Sequence, residues 1–166
     1  MFPKAEDFII KEIEETDNHD LAFVVRTTLA EFGANKPGTV FFDPTTDDLF
    51  KLFQKQGSVY YVALKNDKVV GGGGIYPTDG LPADTCELVK MYLLPEARGI
   101  GLGTKLIDKC RAFAKEAGYK NIYLETMPEL KNALKVYEKM GFRYLDKPMG
   151  NSGHFGCDLW MMAPIP

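Results

Sequence analysis

An α+β fold built around one mixed sheet is what this sequence predicts, and three observations carry it. Apolar runs of strand length come in neighbouring groups instead of alternating strictly with helical stretches. Two of those runs are split only by Lys65-Asn66-Asp67, a hairpin signal that makes them antiparallel neighbours. Later, one amphipathic stretch lies between two apolar runs and supplies a single β-α-β crossover, which demands a parallel pair.

Phe8-Ile9-Ile10-Lys11-Glu12-Ile13 reads as the first strand. From near Asp17 to Phe32, Leu21, Val24, Val25, Thr28 and Leu29 share one helical face, with Asp17 as the cap. Gly33 to Pro44 is a loop of turn formers that still carries Val40, Phe41 and Phe42. Thr45 or Thr46 caps a short helix running towards Gln56, with Leu49, Leu52 and Phe53 facing inward. Ser58 to Leu64 and Lys68 to Tyr76 are the two arms of the hairpin. The second arm holds Gly71-Gly72-Gly73-Gly74, poor strand formers that mark a bulge or a place where something packs against backbone, with a mobile loop as the competing account. After a turn at Leu81 to Asp84, Cys86 to Leu94 is the longest strand, stopped by Pro95. The next helix runs to Ala117, with Leu102, Leu106, Ile107, Cys110, Phe113 and Ala114 at helical spacing and Gly118 closing it. Asn121 to Glu125 is a short strand, and Pro128 opens a helix that Gly141 ends after Met140. Phe142-Arg143-Tyr144 and Phe155 to Met162 are late strands.

With 166 residues, 45% of them hydrophobic and 26% charged, the chain is expected to form one domain over 1–166. A net charge of -3 gives no electrostatic case for a nucleic-acid partner. Cys86, Cys110 and Cys157 lack metal-ligand spacing, so no metal is expected, and their odd number argues against a secreted disulfide framework. No apolar run approaches the roughly 20 residues of a membrane span, and no basic-then-apolar leader opens the chain. A cytoplasmic protein with neither membrane nor nucleic acid as partner is the expectation.

The stretch Arg98-Gly99-Ile100-Gly101-Leu102-Gly103-Thr104 stands where the longest strand gives way to a helix. The first N–H groups of a helix lack intrahelical acceptors, and the helix dipole adds partial positive charge there. Glycines at alternate positions leave those amides unshielded, so a phosphate can settle on them with Arg98 as a cation at its edge. Two rival readings fail on spacing. In the dinucleotide fingerprint counted from Gly99, the last glycine falls at Thr104, and a P-loop needs Lys directly after its last glycine, where Gly103 is followed by Thr104. A phosphorylated cofactor fits the segment, and a tight turn or packing contact is the plainer account.

Two segments together carry a family resemblance. Glu87-Leu88-Val89-Lys90-Met91-Tyr92-Leu93-Leu94-Pro95-Glu96-Ala97-Arg98-Gly99-Ile100-Gly101-Leu102-Gly103 resembles the acetyl-CoA-binding strand, turn and helix of the GNAT N-acetyltransferases. Ala133-Leu134-Lys135-Val136-Tyr137-Glu138-Lys139-Met140-Gly141-Phe142 is similar to the helix-to-strand segment that follows in that family. The resemblance implies a mixed, mostly antiparallel twisted sheet of about seven strands flanked by about four helices. It implies acetyl-CoA as co-substrate and, as acceptor, an amine of a small molecule or a peptide, with a homodimer common among relatives. A non-catalytic acyl-CoA-binding regulator acting on a partner protein is the alternative.

Position by position, the resemblance assigns cofactor binding to Met91, Tyr92 and Leu93, with Met91 and Leu93 giving backbone contacts to the pantetheine arm. It assigns Gly99, Ile100, Gly101, Leu102, Gly103 and Thr104 to the pyrophosphate, flanked by Arg98. An Asn common before the second motif is replaced by Leu130, and Asn132 lies nearby but out of register. Glu87 takes the place of a general base, provided that burial or a water chain raises a pKa ordinarily about 4.3. The plainer account leaves it facing solvent. The Met91 N–H serves as oxyanion donor. Tyr137 is the candidate acid for the departing thiolate, with core packing as the competing role. His154, in a glycine-rich turn, binds substrate, relays a proton or holds the turn. Cys86 should face away from Glu87 as a buried thiol.

Overall fold

The computed structural model describes residues 7–166 and centres on a seven-stranded sheet. Its strands are β1 (Ile9–Glu12), β2 (Val59–Lys65), β3 (Lys68–Tyr76), β4 (Thr85–Leu93), β5 (Asn121–Thr126), β6 (Arg143–Leu145) and β7 (Leu159–Pro164), in the order β1-β2-β3-β4-β5-β7-β6. The helices are α1 (Asn18–Glu31), α2 (Leu49–Leu52), α3 (Leu102–Glu116) and α4 (Lys131–Lys139). Neighbouring strands are antiparallel except β4 and β5, which are parallel and linked through α3. The expected α+β architecture, mixed sheet and single crossover are therefore present. The first six residues of the expected domain lie outside the described part, and no helix among the described residues is long and apolar enough to cross a membrane.

Element ends depart from the sequence expectation where side chains find better partners. Asp17 precedes α1 but does not cap it; its Oδ2 accepts the Glu14 N–H at 2.8 Å and pairs with Lys11 at 2.6 Å. Neither Thr45 nor Thr46 opens a helix. Asp43 caps a 3-10 turn over Pro44–Asp47, and Asp48 caps the single turn of α2. Thr46 is buried, with its hydroxyl donated to the Val40 carbonyl at 2.8 Å. Helix α4 starts at Lys131, after a turn that includes Pro128. The last strand starts at Leu159, because Phe155 stands in a turn, 81% exposed.

The four glycines lie within strand β3, and they are buried. A Cβ on Gly74 would stand 2.5 Å from the Val59 carbonyl oxygen, and one on Gly72 would stand 2.7 Å from that of Tyr61. Close approach of the neighbouring strands, not mobility, explains them, with Gly72 and Gly74 against β2 and Gly71 and Gly73 against Tyr92, Leu93 and Met91 of β4. On the other edge of β3 the ladder slips. Gly72 faces Tyr92 and Gly74 faces Val89, so Lys90 and Met91 together oppose Gly73, a β-bulge in the central strand. Lys90 holds φ +51°, a left-handed conformation uncommon for a long side chain.

Pairing of β4 with β5 stops early. It covers Thr85–Asn121, Cys86–Ile122 and Glu87–Tyr123, although β4 continues to Leu93. Beyond Glu87 the two strands part, leaving an open strand edge in the middle of the sheet. Apolar packing holds this shape on both sides of the split. One cluster joins Ile107, Cys110 and Ala114 of α3 to Cys86, Leu88 and Ile122, and another joins Val25 and Leu29 of α1 to Val40, Met127 and Cys157.

Candidate active site

The turn into α3 is built by backbone conformation. Gly99 and Gly101 hold φ +74° and +82°, and a Cβ on either would point into open space. The first bond of α3 runs from the Lys105 N–H to the Gly101 carbonyl at 3.1 Å. Consequently the N–H groups of Gly99, Ile100, Gly101, Leu102, Gly103 and Thr104 have no acceptor among the described residues. A run of free amides at the start of a helix of this length is a cradle for a phosphorylated group.

Arg98 lies beside this cradle, but its donors are engaged. Nε donates to the Leu93 carbonyl at 2.9 Å, the guanidinium pairs with Glu31 at 2.5 Å, and the same group lies 5.0 Å over the Phe32 ring. The arginine thereby fixes the end of β4 and the end of α1 against the turn.

Met91, Tyr92 and Leu93 lie on the part of β4 that has left β5. Met91 has no register partner in either neighbouring strand. Where the strands part, Tyr92, Thr126, Met127 and Leu130 border a cavity of about 30 Å³. The Thr126 hydroxyl is buried there without a hydrogen-bond partner. Free amides at one end and an open strand edge with an orphaned hydroxyl at the other fit an elongated, phosphorylated cofactor such as coenzyme A.

The same cavity is bordered by Glu87, Lys90 and His154. Glu87 is buried; the Thr78 hydroxyl donates to its Oε1, while Oε2 is bonded to nothing described. Desolvation pushes its pKa up to about 7, with the Glu125 charge adding to the rise while the Thr78 bond and the charges of His154 and Lys90 oppose it. Cys86, one residue earlier, packs in the α3 cluster with its thiol pushed up by desolvation to about 12, so it is the buried thiol expected of the opposite face.

Three groups near Glu87 were not expected from the sequence: Lys90, Asp43 and Glu125. Asp43 Oδ2 lies 2.8 Å from His154 Nε2 and 3.6 Å from Lys90 Nζ, and Oδ1 accepts the Thr45 N–H and hydroxyl. Desolvation alone would raise the Asp43 carboxyl, but the His154 bond, the Lys90 charge and the Thr45 bonds hold it well below the usual carboxylate range. Glu125 is held by the Tyr123 hydroxyl at 2.7 Å and by the Ser152 hydroxyl. A charged residue inside the apolar run Leu88 to Leu94 was the one sequence signal for Lys90.

His154 also borders a second, more open cavity of about 290 Å³, together with Asp43, Phe42 and Phe155. Of the four aromatics considered for an apolar wall, Phe42 and Phe155 stand at this cavity, whereas Phe41 and Tyr76 pack on the core clusters. Tyr137 of α4 is buried edge-on to Phe142 at 5.8 Å, and burial pushes its pKa up, so the phenol keeps its proton. No described residue bonds its hydroxyl, and it borders neither cavity. Asn132 is exposed on the first turn of α4 and also lies apart from both cavities, while Leu130 borders the first.

Comparison with known proteins agrees with this fold. The acetyltransferase (GNAT) family model matches residues 25–142. The chain is 41% identical over 159 residues to YjgM, an uncharacterised N-acetyltransferase of Escherichia coli strain K12, covering 95% of each chain. It is 33% identical over 119 residues to human N-acetyltransferase 8, covering 68% of this chain and 52% of that one. A GNAT-family acetyltransferase structure from Staphylococcus aureus superposes with TM-score 0.85 at 21% identity, over 96% of this chain and 99% of that one. The PaiA N-acetyltransferase of Thermoplasma acidophilum, solved in complex with coenzyme A, superposes with TM-score 0.74 at 18% identity, over 95% and 98%.

Proposed function

The chain belongs to the GNAT family of acetyltransferases, and from that premise we propose that it transfers the acetyl group of acetyl-CoA to the primary amine of a small molecule or an exposed peptide. Both substrates are bound together and the amine attacks directly. The run of free amides from Gly99 to Thr104, continuous with the open edge of β4, is the observation that carries this reading.

Gly99 to Thr104 hold the pyrophosphate, and the edge at Met91 and Leu93 lies along the pantetheine arm. Arg98 stabilises the turn from its flank. Acetyl-CoA supplies an acetyl group already activated as a thioester. Acyl transfer then sets three demands, and a group of this chain meets each. The acceptor must lose a proton to become nucleophilic, and Glu87, with one oxygen free and a pKa near neutrality, takes it. The acyl oxygen gains negative charge, and the Met91 N–H, at the bulge where Met91 has no register partner, stabilises it. The departing thiolate needs a proton, and the Tyr137 phenol, which burial keeps neutral, donates it, an assignment supported by the second sequence motif and not by either cavity.

Titration calorimetry with coenzyme A and thiol-release assays over a panel of amines test the proposal together. Saturable binding and amine-dependent thiol release are expected. Tyr137→Phe, which keeps the ring against Phe142, should lower kcat on the order of 10²-fold without altering coenzyme A affinity. Coenzyme A binding with no release from any amine would remove the enzymatic reading, and absence of binding would remove the cradle.

A further inference from the structure

Lys90 is the feature that the transfer chemistry leaves unexplained. Its side chain is 3% exposed, yet its ammonium makes no hydrogen bond to any described residue. Its ion pair, with Asp43 at 3.6 Å, lies beyond hydrogen-bond length, and the Asp43 oxygen concerned is already bonded to His154. An ammonium carries three donors, and the long pair with Asp43 leaves room on it for another acceptor. A buried ion pair is also a poor device for stability alone.

The conformation of the lysine adds a second, independent observation. In a regular strand, residues three apart face opposite sides, so Glu87 and Lys90 should point away from each other. The bulge breaks this alternation: with Lys90 at φ +51° and two residues opposing Gly73, Glu87 and Lys90 both border the same small cavity, and each feels the other's charge. A glycine would take that conformation without strain, and the chain keeps a lysine there.

Hydrogen-bonding capacity around the cavity narrows what can fill it. Asp43 is engaged by His154 and Thr45, Glu125 by Tyr123 and Ser152, and Glu87 by Thr78 through Oε1. What stays uncommitted is one carboxylate oxygen, on Glu87, the orphaned Thr126 hydroxyl, and donors of the Lys90 ammonium. Resting on the amine-acceptor reading above, we propose that the acceptor is an amino acid, its amine set at Glu87 and its carboxylate bound by Lys90. The amine and carboxylate of an α-amino acid are separated by a single carbon, which suits two groups sharing one small cavity. The rest of the acceptor extends past His154 into the 290 Å³ cavity between Phe42 and Phe155.

Paired acceptors test this. Each α-amino acid is compared with its carboxamide and its decarboxylated amine by thiol release, for the wild type and for Lys90→Met and Lys90→Gln. The wild type should favour the carboxylate member by at least about tenfold in kcat/KM, chiefly through KM, and both variants should bring that ratio to within a factor of about two. Calorimetry gives a readout free of turnover: the wild type should bind an N-acetylated amino acid more tightly than its amide, and the variants should lose the difference. A wild type that accepts carboxylate and carboxamide members equally overturns the carboxylate site alone. Variants that fold and keep the preference overturn it too, and should neither variant fold, the wild-type ratio decides. Release from no member of any pair overturns the amine-acceptor reading and this one with it.

Discussion

At Glu87 the carboxyl group has lost nearly all contact with water, and desolvation, ahead of every other influence, pushes its pKa up to about 7. A base must be ionised to work, so kcat/KM should climb with pH up to about 7 and then level, and Glu87→Gln should lose that limb and lower the rate on the order of 10²-fold. The same shift sets a stability effect of definite sign. The unfolded carboxyl titrates near its ordinary 4.5 and the folded one near 7, so between these values the folded chain holds the extra proton. The contribution is complete below the lower value and lost as pH rises through the upper one. Glu87→Gln should therefore be more stable than the wild type at about pH 8, on the order of 3 kcal/mol, with the gap closing towards about pH 5. Thermal denaturation at the two pH values checks it. The sequence showed a carboxylate at the start of the central strand, but not the enclosed cavity it borders, whose lining includes Val40 and Cys157 from far away in the chain. Lys90 was hidden for a different reason: period-two alternation places it on the wrong face, and no glycine at that position announces the bulge.

Glycine roles at the level of the elements separate cleanly by what a methyl group would meet. On Gly74 it would press on the Val59 carbonyl at 2.5 Å, so Gly74→Ala should destabilise the sheet by about 1–3 kcal/mol in urea unfolding. On Gly103 it would lie 3.6 Å from the side-chain ends of Leu93 and Met91, an ordinary contact, inside the first turn of α3. Gly103→Ala should thus leave stability unharmed or raise it by up to about 1 kcal/mol. It would nevertheless place a carbon where the free amides meet the edge of β4, so coenzyme A affinity should fall by about tenfold or more in calorimetry. Unchanged affinity would remove the helix terminus from the binding site. The helix, its glycine turn and the hairpin were legible because periodicity and turn chemistry are local signals. The caps at Asp43 and Asp48 and the late start of β7 were not, since each depends on contacts made after the loops fold over.

Across the whole molecule, two loops distant in sequence close over the open edge of the sheet. The Gly156 N–H donates to the Gly38 carbonyl at 2.7 Å, the Phe155 ring stands where a Cβ on Gly38 would project, and Asp43 meets His154. Asp43 also faces Lys90, so one carboxylate ties both loops to the bulge of β4. Asp43→Asn would keep the shape and remove the countercharge, leaving the Lys90 ammonium with the charge of Glu87 as its remaining support. Desolvation already lowers the Lys90 pKa below its ordinary 10.5, against the pull of Asp43 and Glu87, and the variant should lower it further. For a lysine shifted downward, the unfolded chain holds the proton that the folded chain lacks, so stability rises with pH across that interval. The variant should be about 3 kcal/mol less stable than the wild type near neutral pH, and the difference should narrow towards about pH 10 as Lys90 becomes neutral in both. Denaturation midpoints at the two pH values measure this. A deficit that stays constant with pH would mean that Asp43 acts only through its bonds to Thr45 and His154, and that the bulge does not depend on its charge.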